Sequence, residues 1–282
     1  MKILITGANG MVARAAAEHC RALGDDVAAL ARAEMDIADL GSVRRAMDEH
    51  RPDVVINCAA YTNVDGAESE PEKAAEANAR GVVNLAVAAR ERDAGFVTIS
   101  TDYVFGGEFD GFYTQRHQPN PLGVYAKTKR SGELAAMEAY ARTIVVRTGW
   151  IYGRGGTNFL CVMDKLMAEG KTVKAIKDSY GTPTFADDLA VRLRELAELD
   201  MPAIFHVTNS GPGASYLGFA EKIAEIGGLD ASLIEPVSNE ELKRPAPRPA
   251  SSKIACLFSE KFGLDPMPDW EGGIRRFLDT RT

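Results

Sequence analysis

The first thirteen residues narrow the fold more than any other part of the chain. Ile3-Leu4-Ile5 is a short apolar run without polar alternation, as in a strand buried on both faces. Directly after it comes Gly7-Ala8-Asn9-Gly10-Met11-Val12-Ala13. Gly7 permits a tight turn, and Gly10 lets the backbone approach a pyrophosphate. Ala13 is small enough for a helix to pack on the strand, and the helix N-terminus offers positive potential. The spacing, Gly-x-x-Gly-x-x-Ala, is shifted from the usual dinucleotide fingerprint, and its strand–turn–helix setting gives it weight. Gly7, Asn9, Gly10, Met11 and Val12 are therefore expected at a dinucleotide.

The alternation continues. Strands are expected at 27–31, 54–56, 96–99 and 144–146, and helices at 11–23, 42–50 and 71–90. Asn120-Pro121 reads as the N-cap and first-turn proline of a helix carrying Tyr125 and Lys129. Continuous apolar strands between helices imply an α/β fold, a Rossmann-type doubly wound parallel sheet covered on both faces. Further on, helices are expected at 159–169 and 187–199 and a strand at 203–207. Pro245, Pro247 and Pro249 keep 243–249 extended. The simplest organisation has a dinucleotide-binding domain (1–149 plus about 185–208). A smaller C-terminal α/β substrate-binding domain takes about 150–184 plus 209–282.

Composition removes whole classes of function. A net charge of −7 over 282 residues, with no basic block, argues against nucleic acid or an anionic membrane as partner. No apolar run approaches the roughly 20 residues of a membrane span. Cys20, Cys58, Cys161 and Cys256 are far apart and form no ligand spacing with the four histidines. They read as core thiols of a reducing compartment. With no signal-peptide layout at the N-terminus, the expected location is cytoplasmic.

An acidic chain that binds a phosphorylated ligand needs local groups. Arg32 stands after the second strand, where an acid would bind the adenosine ribose. An arginine there suits a 2′-phosphate and favours NADPH, with NADH as the alternative. A solvated surface arginine is the competing reading. Asp36 and Ile37 would flank the adenine. The third strand ends in Asn57-Cys58-Ala59-Ala60-Tyr61-Thr62, small residues against which a flat cofactor can lie. Asn78 falls in the apolar stripe of the following helix, where a buried amide needs hydrogen bonds; it is expected either to contact the cofactor or to tie strands near the site.

Tyr125 and Lys129 are four residues apart and share a helix face. An ammonium beside a phenol is expected to favour the phenolate, making Tyr125 a usable acid near neutral pH. Ser100-Thr101-Asp102, at the end of the fourth strand, would supply a second hydrogen bond to a substrate oxygen.

Together these segments resemble the extended short-chain dehydrogenase/reductase family over nearly the whole chain. The resemblance is carried by Arg51 to Asn57 and Ala59 to Asp65 with Ala67-Glu68. Ser100 to Phe105, Asn120-Pro121-Leu122, Tyr125 with Lys129, Arg147 to Gly153 and Gly181 to Thr184 complete it. It implies reduction of the C4 keto group of a nucleotide-linked 6-deoxy-4-keto sugar. Thr101 and Tyr125 would then bind the carbonyl oxygen, with Tyr125 as proton donor. Lys129 would hold the nicotinamide ribose and lower the tyrosine pKa. Thr62, Val64, Asp102, Tyr103 and Trp150 would line the substrate pocket, with Asn158 and Arg248 on the nucleotide side. Some relatives form magnesium-linked dimers through a glutamate whose matching position here is Ala15, so no metal is expected. A homodimer is the commonest assembly for such a chain.

Two other readings stay open on sequence alone. One is an epimerase or dehydratase on the same scaffold; a dehydratase would place Glu where Tyr103 follows Thr101-Asp102. The other is a non-catalytic, NADP-binding regulatory subunit that keeps the motifs without turnover.

Overall fold

The computed structural model describes residues 1–280. The first part of the chain runs β1 (Lys2–Thr6), α1 (Met11–Ala22), β2 (Asp26–Leu30), α2 (Leu40–His50) and β3 (Val54–Asn57). Next come α3 (Val64–Ser69), α4 (Pro71–Ala75), α5 (Gly81–Glu91), β4 (Gly95–Thr101), α6 (Val124–Ala139) and β5 (Thr143–Thr148). The remainder comprises β6 (Ile151–Tyr152), α7 (Phe159–Ala168), β7 (Val173–Ile176), β8 (Tyr180–Gly181), β9 (Thr184–Phe185) and α8 (Ala186–Leu199). It ends with β10 (Ile204–His206), β11 (Ala214–Ser215), α9 (Tyr216–Gly227), β12 (Ile234–Val237) and α10 (Trp270–Asp279).

Six strands form one parallel sheet in the order β10-β5-β4-β3-β1-β2. The chain goes from β1 outward to β2, then crosses back to β3 on the other side of β1. That reversal opens a crevice at the carboxyl ends of β1 and β3, where such sheets take ligands. Strand alternation explains the two faces of the core. Ile3, Ile5, Val54, Ile56 and Val97 pack with α1 and α8. Leu4, Val55 and Phe96 pack with α2 and α5 on the opposite face. A third cluster, with Trp150, Tyr152, Phe185, Phe219 and Phe277, is built from the later segments.

Two sequence expectations are corrected. The helix expected at 71–90 is interrupted: Glu76–Arg80 forms a π-helical turn between α4 and α5. Asn78 lies in this turn and is buried. Its amide accepts from Tyr61 N (2.9 Å), and donates to Tyr61 O (3.1 Å) and Thr128 Oγ1 (3.2 Å). A π turn placed by such a side chain is a known form of helix irregularity. Nothing in the 3.6-residue periodicity signals it.

The second correction concerns the start of α6, which begins at Val124 with Gly123 as N-cap residue, not at Asn120-Pro121. The cap comes from a distant carboxylate: Val124 N donates to Glu68 Oε1 at 2.8 Å. Asn120 instead donates its side-chain amide to Glu108 (3.1 Å) and its backbone N–H to Val104 O (2.8 Å).

Helix α6 approaches the π turn so closely that a Cβ on Gly132 would lie 2.0 Å from the Asn78 carbonyl oxygen. Gly132→Ala should therefore destabilise the fold by at least about 1–3 kcal/mol, the range of overpacked cores. Urea unfolding measures it, and an unchanged midpoint would contradict the close approach.

Candidate active site

The phosphate-binding start is built as its residues require. Gly7 has φ +71°, and a Cβ there would meet the Ala59 backbone at 3.0 Å. Only glycine satisfies both constraints at low cost. Helix α1 has Gly10 as its N-cap residue, no side-chain cap and no acid in its first turn. Its first N–H groups are therefore free for an anion. Asn9 and Gly10 are exposed beside it, and Met11 and Val12 open the helix. Beneath, Thr6 Oγ1 donates to Asn57 Oδ1 (2.6 Å) and Asn57 Nδ2 to Thr98 Oγ1 (3.0 Å), binding the three central strands. Cys58, Ala59, Ala60 and Tyr61 are half-buried at the end of β3.

Arg32 follows β2 with its side chain 80% exposed, in a loose pair with Asp36 at 3.3 Å. Ile37 is buried against Gly81, while Asp36 accepts from Ala38 N.

Lys129 is buried on α6, and its Nζ donates to the carbonyl of Ile99 at 2.7 Å. Burial draws its pKa down to about 8, while the nearby Glu133 carboxylate works in the opposite direction. Tyr125 lies one turn earlier. Here the expectation of a lowered phenol pKa is overturned. Burial pushes it up to about 12; a hydrogen bond with Thr101 works against the rise and the Asp102 charge adds to it. Lys129 is not among the causes of that shift, and one of its N–H groups is donated to the Ile99 carbonyl. In this state Tyr125 is a neutral phenol, an acid with its proton in place.

Thr101 ends β4. Its hydroxyl donates to Asp102 Oδ1 (3.0 Å) and accepts from Tyr103 N (3.1 Å). Ser252 Oγ donates to the other carboxylate oxygen at 2.5 Å. Burial raises the Asp102 pKa to about 6, and the two hydroxyl donors limit the rise. Gly149 makes room for this carboxylate: a Cβ there would lie 2.2 Å from its carboxyl carbon.

Behind Lys129 is a buried charge cluster. Arg147 grips Glu133 with Nε–Oε1 at 2.9 Å and Nη2–Oε2 at 2.8 Å, and Arg130 reaches the same carboxylate at 2.6 Å. Burial alone would raise the Glu133 pKa, but the Arg147 fork holds it below the carboxylate range. His206 gives Nδ1–H to the carbonyl of Ala255 (2.9 Å); burial and Arg147 lower its pKa to about 4, so it is neutral.

Two clefts meet at Tyr103 and Pro249. One, about 230 Å³, is lined by Tyr103, Trp150, Tyr216, Arg244, Arg248 and Ser252 among others. The second, about 210 Å³, is mostly apolar. Val64, Leu122, Ala126, Pro247 and Pro249 line it with Tyr103 and Tyr125. Trp150 has φ +51° and stacks on Tyr216 with centroids 3.8 Å apart.

The structure thus brings Val64, Tyr103, Tyr125, Trp150 and Arg248 to the clefts, with Thr101 and Asp102 beside them. Thr62 is exposed and lines neither cleft. Asn158 is committed elsewhere: it caps α7 by accepting from Cys161 N (3.2 Å) and donates to Ile151 O (2.9 Å). Ala15 is buried in α1 against the core and offers no metal ligand atom. The sequence reading missed Glu133, Arg147, Tyr216, Arg244 and Ser252. Two left a signal: Glu133 shares a helix face with Lys129, and Arg147 is a charge ending a buried apolar strand.

The parallel sheet, the uncapped helix at its switch point and the tyrosine–lysine pair define a dinucleotide-binding oxidoreductase of Rossmann type. The chain belongs to the RmlD substrate binding domain family, which it matches over residues 1–282. It is 40% identical over 277 residues to a dTDP-4-dehydrorhamnose reductase of Streptomyces griseus, covering 96% of this chain and 91% of that one. A crystal structure of dTDP-4-dehydrorhamnose reductase from Bacillus anthracis in complex with NADP superposes with a TM-score of 0.95 at 35% identity. The match covers 99% of this chain and 100% of that one. A UDP-glucose 4-epimerase of Thermus thermophilus (TM-score 0.85, 23% identity, 99% and 98% covered) shares the fold alone.

The depressed Lys129 pKa has a consequence for stability. The folded chain releases this proton near 8 and the unfolded chain near 10.5. Between those values the unfolded chain binds more protons, so the Lys129 contribution to stability rises with pH. Lys129→Met should therefore be more stable than wild type at neutral pH by about 1–3 kcal/mol, with the gap closing toward pH 10.5. Urea unfolding at the two pH values measures this. A constant gap would show that Lys129 is not titrating in the folded chain.

Proposed function

We propose that this protein reduces the C4 keto group of a nucleotide-linked 6-deoxy-4-keto sugar, converting dTDP-4-dehydro-L-rhamnose to dTDP-L-rhamnose with NADPH. The observation that carries this reading is Tyr125, a phenol kept protonated by burial, in the wall of a mostly apolar cleft that meets a more polar one at Tyr103 and Pro249. The apolar cleft suits a sugar face that has lost a hydroxyl; the polar one suits a nucleotide.

The residues present fit a dinucleotide. Gly7 and Gly10 form a cradle that a Cβ would fill, and the α1 N-terminus offers N–H groups to a pyrophosphate. Arg32 is assigned to the 2′-phosphate, Asp36 and Ile37 to the adenine side, and Cys58, Ala59, Ala60 and Tyr61 to the cofactor's flat face. Asn78 ties Tyr61 in place. When bound, NADPH supplies the hydride.

Tyr125 gives its phenolic proton to the C4 oxygen, which becomes the product hydroxyl. The phenolate left behind is a strong base at an apolar site, and the Lys129 ammonium one helical turn away stabilises it. Thr101 orients the phenol and turns its hydroxyl from Asp102 toward the same oxygen. Glu133, itself held by Arg147, favours the charged form of Lys129. Tyr103 stands where an extra acid would be needed to eliminate water, so the proton chemistry is a simple reduction. Residues 1–149 with about 185–208 are assigned to the cofactor, and about 150–184 with 209–282 to the sugar nucleotide.

Mixing the protein with NADPH and dTDP-4-dehydro-L-rhamnose should consume the cofactor and yield dTDP-L-rhamnose. Absence of turnover with this and related 4-keto sugars rejects the reading. Tyr125→Phe should lower kcat by about 10²–10⁴, the usual contribution of a general acid. Its NADPH affinity, measured by fluorescence titration, should stay within a few-fold of wild type; near-normal kcat removes Tyr125 as the proton donor.

A further inference from the structure

Among the residues lining the larger cleft, the two arginines are in different states. Arg248 is committed: Nη1 and Nη2 hold the two oxygens of Asp65 at 2.7 and 3.0 Å, and Nη1 also donates to Ala246 O at 2.8 Å. It joins the proline-rich segment to α3 and is paired with a carboxylate there. Arg244 lines the same cleft, is exposed, has no hydrogen bond or contact ion pair among the described residues, and acts on the Asp65 carboxylate only at longer range, more weakly than Arg248 does. Pro245, Pro247 and Pro249 stiffen the stretch between the two arginines and beyond, so Arg244 is presented from a rigid strap.

The cleft also contains unmet donors. Ser179 is 5% exposed and Trp150 8%, and neither the Ser179 hydroxyl nor the Trp150 Nε1–H has a partner. Buried polar groups are nearly always hydrogen-bonded, so the Ser179 hydroxyl points to a polar partner in this cleft, while the Trp150 Nε1 edge packs over Gly181. A free guanidinium at the mouth of that cleft adds the demand for an anion with several oxygens, which its planar fork binds best.

We propose that Arg244, not Arg248, takes the diphosphate of the nucleotide sugar, with Arg248 as the structural anchor of the strap. This rests on the sugar-nucleotide reading above and names the residue that carries its charge recognition. Stacked Trp150 and Tyr216 form an aromatic wall of the same cleft. The clamp is therefore made of three parts of the chain distant in sequence: the strap, the turn after β5 that carries Trp150, and the start of α9.

Calorimetry with dTDP and with thymidine as probes, without cofactor, tests the assignment. Wild type should bind dTDP more tightly than thymidine. Arg244→Ala should weaken dTDP binding about tenfold or more, the size of a charge-assisted contact, and leave thymidine binding unchanged. Arg244→Lys should recover part of the loss, and added salt should reduce the wild-type advantage. Arg244→Ala binding dTDP as tightly as wild type overturns the assignment while leaving the reductase reading intact. Wild type that binds no dTDP removes the reading itself. Arg248→Ala, which frees Asp65 and loosens the strap, should weaken both probes; weakening dTDP alone would return the diphosphate to Arg248.

Discussion

The Lys129 ammonium is buried at the carboxyl end of the sheet, and most of the site follows from how that charge is kept there. Removing an ammonium from water is costly unless it is paired and hydrogen-bonded. Here the Ile99 carbonyl takes one of its protons, and Glu133, one turn further along α6, lies close enough to favour its charge. Glu133 in turn is fixed by Arg147 at the end of β5 and by Arg130. The lysine is thus held by the strand on which the site is built, through a carboxylate and a guanidinium that are themselves buried. Helix α6 must lie close to the sheet and to the π turn for these bonds to form, which explains Gly132 opposite Asn78.

The same burial governs the acid. Without a counter-charge in contact, the Tyr125 phenol retains its proton, and the helix delivers it beside Thr101 at the end of β4. The carbonyl-reducing direction needs this state of the tyrosine. Asp102 holds the Thr101 hydroxyl and is tied by Ser252 to the C-terminal part of the chain. The end of β4 and the C-terminal part of the chain are therefore joined through hydrogen bonds to one buried carboxylate. Gly149 and Gly181 are small because Asp102 and Trp150 occupy the space a Cβ would need.

Much of this was legible in the sequence because it is local. The glycine loop, the apolar strands, the tyrosine–lysine spacing and the Ser100-Thr101-Asp102 end of β4 each depend on neighbours within a few residues. The parts that were not legible depend on partners far along the chain. Glu68 caps α6 from 56 residues away, so Asn120-Pro121 imitates a helix start that is not used. Asn78 opens a π turn because its amide is needed by Tyr61 and Thr128, which periodicity does not register. Asn158 has the chemistry of a ligand contact but is spent capping α7. Arg248 lies at the cleft as expected, but its ion pair with Asp65, 183 residues away, left no sequence signal. The direction of the Tyr125 shift was misjudged for a related reason: spacing gives proximity to Lys129 but says nothing about burial.

The central claim is that Tyr125 is a neutral acid by virtue of its burial. An ultraviolet titration of tyrosinate in the cofactor-free protein, taken as the difference between wild type and Tyr125→Phe, measures it directly. The account predicts no Tyr125 signal at or below the ordinary phenol range of about 10, with onset toward about 12. A difference signal rising near neutral pH would show a phenolate stabilised by Lys129 before any ligand binds, and would contradict it.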